Sequence, residues 1–129
     1  MKREERLTHP REFAAVYSKG ISRVSDLLVL RALPNDLKVS RFGFSVSKRV
    51  GGAVVRNRMK RRLREIMPAL PIKPSWDIVF IVRPVAAEAD FTILKKTVEG
   101  LLTRGGLLSG EINRSPTPVS AQGNRDTAL

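Results

Sequence analysis

The residues best suited to chemistry form one cationic run, Arg56-Asn57-Arg58-Met59-Lys60-Arg61-Arg62-Leu63-Arg64, the densest part of a stretch from Arg41 to Arg64 that holds nine Lys or Arg and no acid. Their chemistry is phosphate neutralisation. Each guanidinium can grip phosphate oxygens with two parallel hydrogen bonds or stack on a base, and a polyanion bound this way releases counterions. Asn57 adds a neutral donor and acceptor suited to a sugar hydroxyl, a base edge or a backbone group. Nucleic acid is the leading candidate partner. A merely solvated helix mixes its signs through Glu to Lys pairs four residues apart, yet the first acid after Asp36 is Glu65. A membrane-surface helix needs its apolar face free, and here that face is required to cover a sheet.

The whole chain of 129 residues carries 24 basic and 12 acidic side chains; without the nine cations of the run, 15 basic and 12 acidic residues are left, nearly balanced. The charge is therefore a patch, which defines a binding surface rather than general stickiness. Length and 42% apolar composition predict one compact domain with a real core. No cysteine is present, which excludes disulfides and thiolate metal sites and fits a reducing compartment, so the cytoplasm is the expected location. Met1 to Arg6 is charged with no apolar segment after it, and the apolar runs fall far short of the roughly 18 residues of a membrane span, so the chain reads as neither secreted nor inserted.

An independent nuclease needs a carboxylate cluster for metals or a histidine pair, and neither is evident. His9 is the only histidine and sits beside Pro10 at a helix start, the acids are scattered, and no Gly-x-x-x-x-Gly-Lys or His-Glu-x-x-His pattern occurs. No catalytic or metal-binding residue is assigned to the chain.

The elements that must position the cations follow from periodicity. A first helix is predicted with Thr8 as N-cap, Pro10 in its first turn and Gly20 as its stop; Phe13, Val16 and Tyr17 share a face. The apolar run between Asp26 and Leu33 predicts a strand, ended by Pro34-Asn35-Asp36. Arg41 to Ser47 alternates, with Phe42, Phe44 and Val46 on one side and Arg41, Gly43, Ser45 and Ser47 on the other, and is expected to pair with it as a hairpin. Gly51-Gly52 then opens the basic helix, about Val54 to Met67. On it Val55, Met59, Leu63 and Ile66 form a core-facing stripe, Asn57, Arg61 and Arg64 the crest, Arg56 and Lys60 one flank, Arg58 and Arg62 the other. Trp76 to Val82 predicts a third, central strand buried on both faces. Asp90 is expected to cap a last helix with Phe91, Leu94, Val98, Leu101 and Leu102 on its inner face and Gly105-Gly106 at its end. The predicted order is αββαβα, an α+β fold over residues 1–108, with 109–129 a disordered tail poor in apolar periodicity.

Within this frame, Ser45-Val46-Ser47-Lys48-Arg49-Val50-Gly51 followed by Ala53-Val54-Val55-Arg56-Asn57-Arg58-Met59-Lys60-Arg61 resembles the signature of the bacterial ribonuclease P protein subunit, with its Arg-Asn-Arg motif. Arg6-Leu7, Glu12-Phe13, Val16, Tyr17 and Gly20 resemble that family's N-terminal helix. The resemblance implies an αββαβα sandwich like the second domain of ribosomal protein S5, with a left-handed β-α-β crossover where the general rule would give a right-handed one. It further implies that the chain joins a catalytic RNA, forming an endonuclease that hydrolyses one phosphodiester to remove the 5′ leader of precursor tRNA. Magnesium would be bound mainly by that RNA, which carries the catalysis.

Carried over residue by residue, the RNA-docking set is Lys48, Arg49, Arg56, Asn57, Arg58, Lys60, Arg61 and Arg64. The leader set is Phe13, Tyr17, Arg31, Ser45 and Ser47. For Phe13 and Tyr17 two roles stay open, stacking on an unpaired base, which contributes roughly 1 to 3 kcal/mol, or core packing. Arg31 stands where the family often has an aromatic residue, so a phosphate contact or cation–π stacking replaces ring stacking. Gly52 stands where Asn is common. The other reading is a structural RNA-binding protein, ribosomal or assembly-related, with no substrate; the aromatic helix beside a Ser-rich strand favours the first. Sequence-specific DNA binding is disfavoured because the basic helix lies inside a β-α-β unit with no helix-turn-helix partner or zinc site.

Overall fold

In the computed structural model, residues 3–109 are described. The predicted tail after Ser109 lies outside them. Three helices, α1 (Pro10–Lys19), α2 (Ala53–Ile66) and α3 (Phe91–Arg104), accompany four strands, β1 (Ile21–Val24), β2 (Leu28–Pro34), β3 (Arg41–Ser45) and β4 (Trp76–Val82). The α+β class stands, with one strand more than the expected three. Ile21–Val24 is short and alternates half-buried with exposed residues, so no apolar run announces it.

The sheet order is β1-β2-β4-β3. β2 is antiparallel to β1 and to β4, while β3 runs parallel to β4. The expected β2–β3 hairpin is therefore not formed. β4 lies between the two strands, pairing Leu30 with Phe80 on one side and Phe44 with Phe80 on the other. Its Ile78, Val79 and Phe80 are fully buried, as its unbroken apolar run required. Parallel neighbours need a crossover, and α2 supplies it.

Alternation divides the sheet into two faces. Leu28, Leu30, Ala32, Phe42, Ile78, Phe80 and Val82 point to the larger core, where Met59, Leu63 and Ile66 of α2 and Leu94, Val98, Leu101 and Leu102 of α3 cover them. Phe91, expected on that inner face, is 39% exposed at the first turn of α3. The opposite face carries a smaller cluster of Val79 and Val16 with Leu7, against which Phe13, Leu33 and Ile81 pack. Among the described residues α1 and the segment at Leu7 cover this face, and Val24, at its far end, stays exposed.

Helix boundaries follow local chemistry. The N-cap of α1 is His9 rather than Thr8; the Glu12 carboxylate accepts from both N–H groups, at 3.1 Å from His9 and 3.3 Å from Thr8. Asp90 caps α3 as expected, its Oδ1 accepting from Ile93 N at 2.9 Å. At the other end Gly106 takes a φ of 72°, and Leu107 N–H reaches the Leu102 carbonyl at 2.9 Å while Gly106 N–H reaches that of Thr103 at 3.1 Å, a Schellman closure.

One polar cluster ties α1 to the sheet. Arg41 donates from Nε and Nη2 to the Asp77 carboxylate at 2.9 and 2.8 Å, and from Nη1 to Glu12 at 2.7 Å. Asn35 Nδ2 donates to Asp77 Oδ1 at 2.7 Å, so the buried carboxylate is satisfied from two sides. Hydrogen bonding and charge from Asp77 raise the Arg41 pKa above its ordinary value. For Glu12, burial pulls the pKa up but is outweighed by the His9 and Thr8 N–H bonds and the Arg41 charge, and the pKa ends below normal.

Candidate nucleic-acid interface

The outer face of α2 follows from its inner one. Because Met59 and Leu63 are fully buried and Ile66 nearly so, the residues half a turn away must face solvent. Asn57 and Arg61 are exposed there; Arg64, expected with them on the crest, is half-buried, as are Arg56, Arg58 and Lys60 on the flanks. Lys48 and Arg49 are exposed on the turn before the helix. All eight predicted docking residues thus lie on α2 or on the loop leading into it. Val54 extends the crest and is 77% exposed, an apolar position that charge-based reasoning passes over.

The flanks differ. Arg56 Nε donates back to the Gly51 carbonyl at 3.2 Å. On the other side Arg62 Nη1 donates to the Ala89 carbonyl at 3.3 Å, and Arg58 Nε is buried with no partner. Both ion pairs among the described residues use Arg41. Arg41 is therefore withdrawn from the patch, and the other eight cations of the run have no carboxylate on them among the described residues.

The leader set falls on the opposite side of the sheet. Phe13 is half-buried, its ring seated on β3 where a β-carbon at Gly43 would come within 2.5 Å of Cζ. Tyr17, one turn on, is 37% exposed, with its ring centroid 6.4 Å from that of Phe13. Phe13 is thus largely a packing residue and Tyr17 the ring open to a ligand. Arg31 shares this face through its register with Ser22 and Val79. Its Nη2 donates to the Tyr17 carbonyl near the negative end of α1, and its Nε is buried without a partner. Ser45 also lies here, in register with Ile81. Ser47 does not continue the strand, which ends at Ser45; its hydroxyl accepts from Arg49 N–H at 3.3 Å in the following turn.

The two predicted sets therefore occupy opposite faces, and the segment from Ser45 to Gly52 passes from one to the other. Lys48 and Arg49 stand at that seam. Among the described residues no group of three or more His, Cys, Asp or Glu is placed to hold a metal ion. No helix of the described residues is long and apolar enough to cross a membrane.

A mixed sheet with one face closed by a basic helix together with α3 and the other half open beside an exposed tyrosine defines an α+β nucleic-acid-binding protein. The ribonuclease P family matches residues 1–106, and the chain belongs to that family as a ribonuclease P protein component. It is 44% identical over 119 residues to the ribonuclease P protein component of Roseiflexus castenholzii, covering 90% of this chain and 98% of that one. Among solved structures it resembles a Staphylococcus aureus RNase P protein mutant with defective mRNA degradation activity, with a TM-score of 0.78 at 28% identity over 82% of this chain and 92% of that one. It also resembles the RNase P protein of Thermotoga maritima, with a TM-score of 0.72 at 31% identity over 78% and 96%.

Proposed function

We propose that this chain docks on the catalytic RNA of ribonuclease P through the outer face of α2, with Lys48 and Arg49 at its edge. It holds the single-stranded 5′ leader of precursor tRNA on the half-open sheet face, between Tyr17, Arg31 and Ser45. The observation that carries this reading is the concentration of eight carboxylate-free cations on one helix and its entry loop. Such a surface is stabilised most by a polyanion. The partner RNA, with its own magnesium, hydrolyses the phosphodiester; the chain's part is binding and positioning, and no step is assigned to a protein-bound metal. The ribonucleoprotein works in the cytoplasm, where precursor tRNA is processed.

Division of the work between two faces suits this role. One face carries charge for a folded RNA, and the other offers a ring and small polar groups to an unpaired strand. The test is reconstitution with the catalytic RNA of ribonuclease P at low magnesium, following cleavage of precursor tRNA. Stimulation is expected, and none would end the reading. In the same assay Tyr17→Ala should weaken binding of substrates with a leader and spare mature tRNA; equal loss for both would return Tyr17 to a packing role.

A further inference from the structure

On the half-open sheet face Arg31 bonds to the backbone of the exposed tyrosine. Helix α1 ends at Lys19, so the carbonyls of its last turn have no continuing helix to bond them. That of Val16 accepts from Gly20 N–H at 2.9 Å. The next, that of Tyr17, would accept from Ile21 if the helix ran on, but Ile21 opens β1 in register with Ala32. Arg31 takes its place, donating from Nη2 to the Tyr17 carbonyl across from strand β2. A cation is also what the negative end of a helix favours.

The surroundings hold Arg31 in that position. It stands between Ser22 of β1 and the fully buried Val79 of β4, its partners in register. The end of α1 sits hard against the same strand, since a β-carbon on Gly20 would come within 2.5 Å of the Val16 carbonyl oxygen and 2.6 Å of that of Ala32. Arg31 Nε is buried with no partner, so one edge of the guanidinium is packed against protein. No ion pair among the described residues involves Arg31, and the Tyr17 carbonyl is its one hydrogen-bond partner there. Swinging the side chain out to a phosphate would leave that carbonyl without its donor. The residue so fastened is the one whose ring stands open on this face. Helix ends fray, and a stacking platform binds best when its place is fixed before the base arrives.

We infer that Arg31 is a positioning residue: by capping the C-terminus of α1 at the Tyr17 carbonyl it fixes the Tyr17 ring for stacking on an unpaired base, and it makes no phosphate contact of its own. The inference rests on the leader reading above. It gives Arg31 a different part in that reading from the phosphate or cation–π contact that its residue type suggests.

The test uses the reconstituted ribonucleoprotein carrying Arg31→Met, Tyr17→Ala or both, and compares binding of precursor tRNA with that of mature tRNA. Arg31→Met should weaken precursor binding severalfold, spare mature tRNA and leave the salt slope unchanged. In the Tyr17→Ala background it should weaken nothing further. A salt slope lower by about one, or a double variant that loses the sum of the two single effects, places Arg31 on the leader and overturns the inference, as does full precursor affinity in Arg31→Met. Tyr17 is the only tyrosine of the chain, so fluorotyrosine incorporation reports on its ring alone. The fluorine resonance should shift or broaden in Arg31→Met; an unmoved one overturns the inference. Arg31→Lys keeps a donor near the carbonyl and should keep both the resonance and most of the affinity. Lysine with an unmoved resonance and the weak affinity of Arg31→Met is a further overturning result, free of any loss of fold. Failure of the leader reading itself shows separately, as wild-type precursor affinity in Tyr17→Ala, and the inference falls with it.

Discussion

The ring of Phe13 occupies the space that a side chain on Gly43 would need, so α1 and β3 approach closely at one point. Gly43→Ala puts a methyl group 2.5 Å from Phe13 Cζ and 2.6 Å from Cε1. The ring must tilt or the helix must lift. A loss of about 1 to 3 kcal/mol is expected, as for other overpacked sites, and should appear as a lower denaturation midpoint with unchanged slope. Unaltered stability would show that α1 rides loosely on the sheet.

Arg41 belongs to the basic stretch by sequence and to the scaffold by geometry. Arg41→Met leaves Asp77 buried with Asn35 alone and should destabilise the fold by about 3 kcal/mol. Measured where the variant is still folded, its salt slope for RNA binding should equal that of wild type, since the lost charge was already neutralised. A slope lowered by about one would place Arg41 on the RNA.

Arg61→Ala should behave in the opposite way. Arg61 is exposed on the crest of α2. Its removal should lower the salt slope by about one for each phosphate it had neutralised, while thermal stability hardly changes. An unchanged slope would take Arg61 off the docking surface.

Acid should loosen the clamp between α1 and the sheet. Glu12 titrates below the ordinary 4.5 in the folded chain, so its contribution is fully present above that value and is lost as pH falls through the lower folded pKa. Glu12→Gln should therefore be less stable than wild type near neutrality, and the difference should shrink steadily below pH 4.5. Urea midpoints measured from about pH 6 to pH 2 check this; a difference that persists at the acid end would mean that packing of the side chain, not its charge, is what matters.

Much of the fold is legible where contacts are local. The stripe of Met59, Leu63 and Ile66, the Asp90 cap and the Gly105-Gly106 closure all depend on residues within about a turn of one another. Pairing across the sheet is different. Pro34-Asn35-Asp36 suggests a hairpin turn, and Asn35 Oδ1 does accept from Leu37 N–H at 2.8 Å, yet its Nδ2 reaches forward to Asp77. The strand that settles beside β2 comes 42 residues later, counted from Asn35 to Asp77. No local signal orders such partners.

The sequence by itself determined the chemistry of the docking surface, because a helical period and a run of cations without acids together orient charge against an apolar stripe. Tertiary structure decided which cations are available. It placed Arg41 between Asp77 and Glu12, turned Arg62 to the Ala89 carbonyl, set Phe13 over Gly43 and left Tyr17 open. Residue type specifies what a side chain can bind, whereas its partner is whatever long-range packing brings within hydrogen-bond reach.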